Sequence, residues 1–270
     1  MKKLILVVIV LFVTTLAACG GSQDAKEVYK KAVEAGEKVE SAEVDMAISQ
    51  TMAGDPTMGE IVMNTDMQAS MIMEPLSMHQ KGNMQMEMQG MPIDTEVEMY
   101  MTDEGVYMYD SMSQTWMKFD SSMMPTELAN LDQGPTEQLD VLESFVDQVE
   151  FSEEDDAYVY KFEGEGDEIK EFTKQLVEGN LGEDTFVEFG ADMNQVLEDM
   201  TIHSIYYELH IDKESYDTKK VITNLDLEIA ADAEGNTMRI EQEMTADYTG
   251  INTIDVIEVP QEVIDSAQEI

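Results

Sequence analysis

The residues with the most chemical potential in this chain are its methionines. Nineteen of the 24 lie between Met46 and Met124. Thioether sulfur is a soft ligand, so a methionine cluster in an exported protein could hold Cu(I). Met84-Gln85-Met86-Glu87-Met88 has the alternating spacing such sites use, and Met78 and His79 stand nearby. Inside a strand, however, that spacing lines the sulfurs along one face about 7 Å apart, which suits a wall better than three ligands meeting at one ion. A second use is a deformable apolar pocket, because methionine is unbranched and polarizable and repacks around guests of varying shape. A third is ordinary core, with methionine in place of leucine and isoleucine. Methionine density alone does not separate the last two.

Other chemistry has little support. The three histidines, His79, His203 and His210, belong to no zinc-protease motif, and the chain has no G-x-S-x-G elbow and no P-loop. His203 and His210 are seven apart in a predicted strand, and an odd separation sends them to opposite faces. Acidic pairs such as Glu153-Glu154 and Asp155-Asp156 are too common here to mark a general acid and base. Asp232, Glu234 and Asn236 lack the spacing of an EF-hand loop and read as a turn. The expectation is a non-catalytic protein with no cofactor and no dedicated metal site.

The only cysteine, Cys19, closes the segment Leu16-Ala17-Ala18-Cys19. Before it stand the cationic Met1-Lys2-Lys3 and an apolar run from Leu4 to Leu16, the order of a cleaved secretory signal peptide over residues 1–18. That run is shorter than the roughly 20 residues of a spanning helix. Leu16-Ala17-Ala18-Cys19 resembles the lipobox of bacterial lipoproteins. The resemblance implies a diacylglyceryl group on the Cys19 sulfur and Cys19 as the mature N-terminus. It also implies attachment to the outer, extracytoplasmic face of the cell membrane, since two or more acyl chains hold where one binds only marginally.

Without Lys2 and Lys3 the chain carries 13 basic residues against 58 acidic ones, and its only arginine is Arg239. Such a surface repels phosphate backbones, which excludes nucleic acid as a partner. It also repels anionic headgroups, so membrane attachment must come from the lipid anchor. The acids are spread along the whole chain, which fits a solvated surface suited to salt or alkaline surroundings, as in a Gram-positive host.

The elements that must position the methionines follow from periodicity. Residues 19–23 form the lipidated cysteine and a short spacer, and 24–270 are expected to form a single domain. Val28, Ala32, Ala35 and Val39 at helical spacing predict a helix over 24–39. From Glu43 to Asp120 the period changes to two, the pattern of antiparallel strands with one dry face. Turn signals fall at Gly54-Asp55-Pro56, Glu74-Pro75, Gly90-Met91-Pro92 and Asp103-Glu104-Gly105. Pro125–Val149, Asp167–Leu181 and Ala191–Met200 read as helices. Further strands are expected at Ala157–Phe162, Ile202–Asp212, Lys219–Ala231, Thr237–Tyr248 and Ile254–Val259, with a helical turn at Gln261–Ala267. The class is α+β: a curved antiparallel half-barrel with helices packed on its concave side.

Leu76-Ser77-Met78-His79-Gln80-Lys81, Glu98-Met99-Tyr100-Met101, Val106-Tyr107-Met108-Tyr109-Asp110 and Trp116-Met117-Lys118-Phe119 together resemble the Met-rich lipoproteins of the DUF6612 family of Firmicutes. Pro260-Gln261-Glu262-Val263 is similar to the ending of that family. More remotely the architecture resembles the LolA, LppX and LprG group of envelope proteins, whose curved sheet encloses a hydrophobic cavity. That resemblance implies a LolA-like fold and a lipid or lipidated partner as cargo. The candidate lining residues are Met63, Met67, Met71, Met84, Met86, Met88, Met99 and Met101, with Trp116 at an edge. The alternatives are a Cu(I)-binding envelope protein and a lipid-anchored sensor or adaptor with an acidic docking surface.

Overall fold

The computed structural model describes residues 24–54, 59–119, 139, 149–170, 200–230 and 237–269. The leader, Cys19, the spacer, the turn at 232–236 and most of the helices expected between Pro125 and Met200 lie outside the described residues.

Asp24 starts the first helix, α1 (Ala25–Gly36), by accepting a hydrogen bond from the Lys26 N–H at 2.9 Å. Lys31 lies 2.8 Å from Glu27 one turn earlier, a solvent-screened surface pair that adds little to the helix. Val28 and Ala32, four residues apart, share one stripe and are almost fully buried. They join Tyr160, Tyr207, Leu209, Ile211 and Val221 in the largest apolar cluster, so the helix lies across a sheet face.

Alternating sequence then gives β1 (Ser41–Ala53), β2 (Ile61–Ile72), β3 (Ser77–Met88), β4 (Met91–Thr102), β5 (Gly105–Asp110) and β6 (Thr115–Phe119). The second half supplies β7 (Glu150–Glu153), β8 (Ala157–Gly164), β9 (Thr201–Asp212), β10 (Thr218–Ala230) and β11 (Thr237–Thr249). A helix, α2 (Gln261–Ser266), and the two-residue β12 (Gln268–Glu269) close the chain. All twelve strands form one open sheet in the order β12-β6-β5-β4-β3-β2-β1-β11-β10-β9-β8-β7. Two meanders therefore meet at the antiparallel β1–β11 pair, and among the described residues the one parallel contact is β12 with β6. The α+β class and the open antiparallel sheet agree with the expectation.

Register divides the sheet into two faces. Val44, Ala69 and Tyr248 are direct partners, as are Val221, Ala246 and Leu209, and all of them share the dry face with α1. The other face carries Asp45, Gln68, Asp247, Lys220 and His210. Gly82 interrupts the dry face in the middle of β3. A Cβ there would lie 2.2 Å from the Asp66 carbonyl oxygen of β2, so the backbones approach at a point where only glycine fits. Such close approaches are where sheets bend.

Two expectations change. Ile254–Val259 forms no strand. It lies over the polar face, where Ile257 and Val259 pack on Tyr100 and Tyr107, and a segment on a face has no ladder to join. Helices also reach both faces: α1 covers the dry face, whereas α2 places Val263 on the aromatic patch opposite.

Candidate functional site

Every methionine inside β1–β6 points to the dry face: two in β1, three in β2, four in β3, three in β4 and one each in β5 and β6. The pairing aligns them in cross-strand rows. Met71, Met78 and Met101 form one row, and Met99, Met108 and Met117 the next. Met46 pairs with Met67, Met63 with Met86, and Met88 with Met91. Side chains directly opposite across strands have Cβ atoms about 5 Å apart. Methionine Cβ atoms are therefore nearer across strands than along them, a proximity that spacing within one strand does not disclose.

All eight methionines expected to line a ligand share this face, yet their surroundings differ. Near the Thr102–Gly105 turn the face is closed, with Met78, Met99 and Met101 packed on Val106 and only 6, 6 and 3% exposed. Towards the β3–β4 turn it opens. Met84, Met86 and Met88 are half-buried, Met91 is 58% exposed and Ile93 43%. A few polar groups interrupt it: the Gln80 amide donates to the Met67 sulfur, Gln50 pairs with Gln242, and Thr65 is buried beside Met84. The result is a graded apolar surface, closed at one end and open at the other.

Trp116 does not belong to it. Trp116 pairs with Tyr109 on the polar face, with ring centroids 5.4 Å apart, and lies 5.8 Å from the Tyr100 ring. The reason is parity: Met117 is the residue of β6 that turns inward, so Trp116 turns out. There it helps to seat Ile257, Ile264 and Ala267 of the chain's end. His79 stacks on Tyr100 at 4.1 Å, and His79, Lys81 and the Tyr100 hydroxyl all meet the Glu98 carboxylate, at 3.2, 3.4 and 3.3 Å. Burial, reinforced by Glu98, pushes the Tyr100 hydroxyl up to about 12. The aromatic members of the motif thus form a clasp for the C-terminal segment, and the methionines between them face the other way.

The two strand histidines also depart from expectation. A bulge between Asp226–Ser204 and Leu227–Ile202 adds one residue to β9, so Ile202 and Ile205 both enter the core. The extra residue restores phase, and His203 and His210 emerge on the same polar face, beside Glu228 and Glu208 respectively. Seven residues at about 3.3 Å each still keep them too far apart to share an ion. Glu208 also accepts from the Tyr206 hydroxyl, which that bond and burial push up to about 12.

A groove of about 700 Å³ crosses the polar face of β8–β11, lined by Glu163, Ser204, Tyr206, Asn224, Asp226, Glu241 and Glu243. Arg239 bridges Asp226 at 2.6 and 2.9 Å and Glu241 at 2.9 Å beside it. Its carboxylate walls oppose an apolar guest, so volume alone does not make it the ligand site. Among the described residues, no group of three His, Cys, Asp or Glu side chains is placed to hold a metal, and no helix is long and apolar enough to cross a membrane.

A family model described as a family of unknown function, DUF6612, matches residues 24–268. The chain belongs to the DUF6612 family. The motif resemblance therefore holds, even though part of that motif serves the clasp. No curated protein matches the chain. Solved structures similar to it include the lipoprotein LppX of Mycobacterium tuberculosis, at 10% identity over 87% of this chain and 98% of that one, with a TM-score of 0.39. LprF of Mycobacterium bovis follows at 12% identity over 88% and 98%, with a TM-score of 0.41. A lipovitellin structure matches at 8% identity over 82% of this chain and 26% of that one, with a TM-score of 0.36. Likenesses this loose carry no residue roles across.

Proposed function

We propose that this DUF6612 protein is a lipoprotein, anchored through Cys19 to the extracytoplasmic face of a cell membrane, that binds a hydrophobic molecule on its methionine face without catalysis. The observation that carries the reading is the register. It gathers every methionine of six strands onto one surface whose open end leaves Met91 and Ile93 in water. Large exposed apolar side chains continuous with a buried apolar surface are a usual mark of a binding site. Methionine suits a guest of variable shape, such as an acyl chain or the lipid of a lipidated partner. The acidic polar face keeps anionic surfaces away, which leaves the anchor to hold the protein at the membrane.

Native mass spectrometry of the anchor-free protein, purified from lipid-containing cells, tests this. Adduct masses of acyl lipids, or uptake of an added fatty acid, are expected. A bare protein mass together with no uptake in solution would remove the proposal.

The cross-strand rows support Cu(I) binding as a second reading, because Met99, Met108 and Met117 are direct neighbours. It requires uptake of Cu(I) at a fixed stoichiometry that is lost when those three become leucine.

A further inference from the structure

The open end of the methionine face has a second chemical property. Met88 and Met91 are direct partners that flank the two-residue β3–β4 turn, and Met86 pairs with Ile93 one step inward. Gln89 and Gly90 occupy the turn with φ of 54° and 74°, the conformation of a tight hairpin. Met91 is 58% exposed and Met88 half-buried beside it, so the outer thioether of the pair is open to solvent. On the same strand, Met99 and Met101 are closed off. One strand therefore carries accessible and inaccessible thioethers on one face.

We propose that the Met88–Met91 pair is an oxidation site, at which a peroxide-class oxidant converts thioether to sulfoxide and switches off apolar binding at the open end of the face. The loss of binding rests on the hydrophobic-ligand reading above; the oxidation site itself does not. In the step, the Met91 sulfur lone pair attacks one oxygen of hydrogen peroxide. The S–O bond forms as the O–O bond breaks, and the departing oxygen leaves as water after proton transfer. Sulfur is oxidised by two electrons and the peroxide reduced by two. Susceptibility follows exposure, so within this face Met91 reacts before the half-buried Met88, and Met78, Met99 and Met101 react last. The product carries a polar oxygen that the neighbouring Met86 and Ile93 side chains cannot hydrogen-bond. An apolar guest seated there would strand that oxygen without water, weakening binding by about tenfold.

Met112 supplies a control within the molecule. It is 94% exposed in the turn between β5 and β6, outside the strands that form the face. It should oxidise as early as Met91 without any effect on binding.

The test uses the whole mature protein, anchored in phosphatidylcholine vesicles and exposed to graded hydrogen peroxide. Peptide mass mapping reads each sulfoxide, and a diazirine-labelled stearic acid reads apolar occupancy of the sheet. Met91 and Met112 are expected to convert before Met78, Met99 and Met101. Labelling of the 84–93 hairpin should fall about tenfold as the Met91 sulfoxide appears. In the double variant Met88→Leu, Met91→Leu, labelling after peroxide should match that variant's own labelling before it, whatever its starting level, whereas Met112→Leu should lose labelling as the parent does. Equal oxidation of Met91 and Met101, or labelling that survives full conversion of Met91, overturns the proposal. No labelling of the reduced protein overturns the hydrophobic-ligand reading and the switch together, while the order of oxidation still decides whether the site exists.

Discussion

Replacing Gly82 by alanine tests whether the backbones of β2 and β3 meet in the middle of the methionine face at a point only glycine fits. The added Cβ would lie 2.2 Å from the Asp66 carbonyl oxygen and 2.9 Å from the Met67 Cα, both of β2. Real Cβ contacts stay beyond 3.0 Å, so the strands must part by at least about 0.8 Å. Asp66 pairs with Asn83 on one side and with Ala47 on the other, so the displacement strains two ladders. Overpacking of this kind costs about 1–3 kcal/mol. Alanine returns roughly 0.4–1 kcal/mol by restricting the unfolded chain. The net expectation is destabilisation by about 1–2 kcal/mol, a fall of roughly 0.3–1 M in the urea midpoint. Fluorescence of Trp116, on the opposite face, follows the unfolding. Gly164 provides the contrast. Its Cβ would also meet an atom at 2.2 Å, but that atom is a methyl of the Ile169 side chain, which turns aside more cheaply than a strand. Gly164→Ala should therefore cost less. An unchanged midpoint in Gly82→Ala, or a larger loss in Gly164→Ala, would refute the reasoning.

Changing Met84, Met86 and Met88 together to leucine keeps the apolar volume and removes sulfur. Each swap should cost less than about 1.5 kcal/mol and leave fatty-acid uptake within a few-fold, measured by native mass spectrometry; abolition of uptake would refute the reading that this end of the face binds through its apolar volume. Tyr100 has a folded-state pKa of about 12, above the ordinary 10 of an unfolded tyrosine. Its contribution to stability is thus fully present below pH 10 and lost as the pH rises through about 12. Denaturation monitored across that window should show a loss in the parent that is reduced in Tyr100→Phe, and identical curves would contradict the assignment. The Thr218 hydroxyl is buried with no hydrogen-bond partner among the described residues. Thr218→Val should accordingly be neutral or stabilising by up to about 1 kcal/mol in the same urea experiment, and a clear loss would reveal an unrecognised partner.

Period-two methionines in β1–β4 disclosed both the strands and their shared inward phase, because in a pleated strand alternation and facing are the same statement. Asp24 at the head of a charged, period-3.6 segment disclosed α1 in the same way. Parity counted from a neighbouring methionine would also have placed Trp116 outside. The β9 bulge had no comparable signal: it adds one residue without glycine or proline, and only packing of both Ile202 and Ile205 into the core requires it. The failed strand at Ile254–Val259 has the same origin, since an apolar alternating segment satisfies a sheet edge or a sheet face equally well.

By itself, the sequence determined the open antiparallel class, the single dry face, the acidic surface and the family, because these depend on local period and composition. Tertiary structure decided what lies beside what. Cross-strand register set methionine Cβ atoms about 5 Å apart in rows, and uneven covering closed the Met101 end while leaving Met91 open. The aromatic half of the motif went to a clasp on the far face. Pairing between distant segments is not encoded in the spacing of either one, so the shape of the candidate site emerged only when the strands were laid side by side.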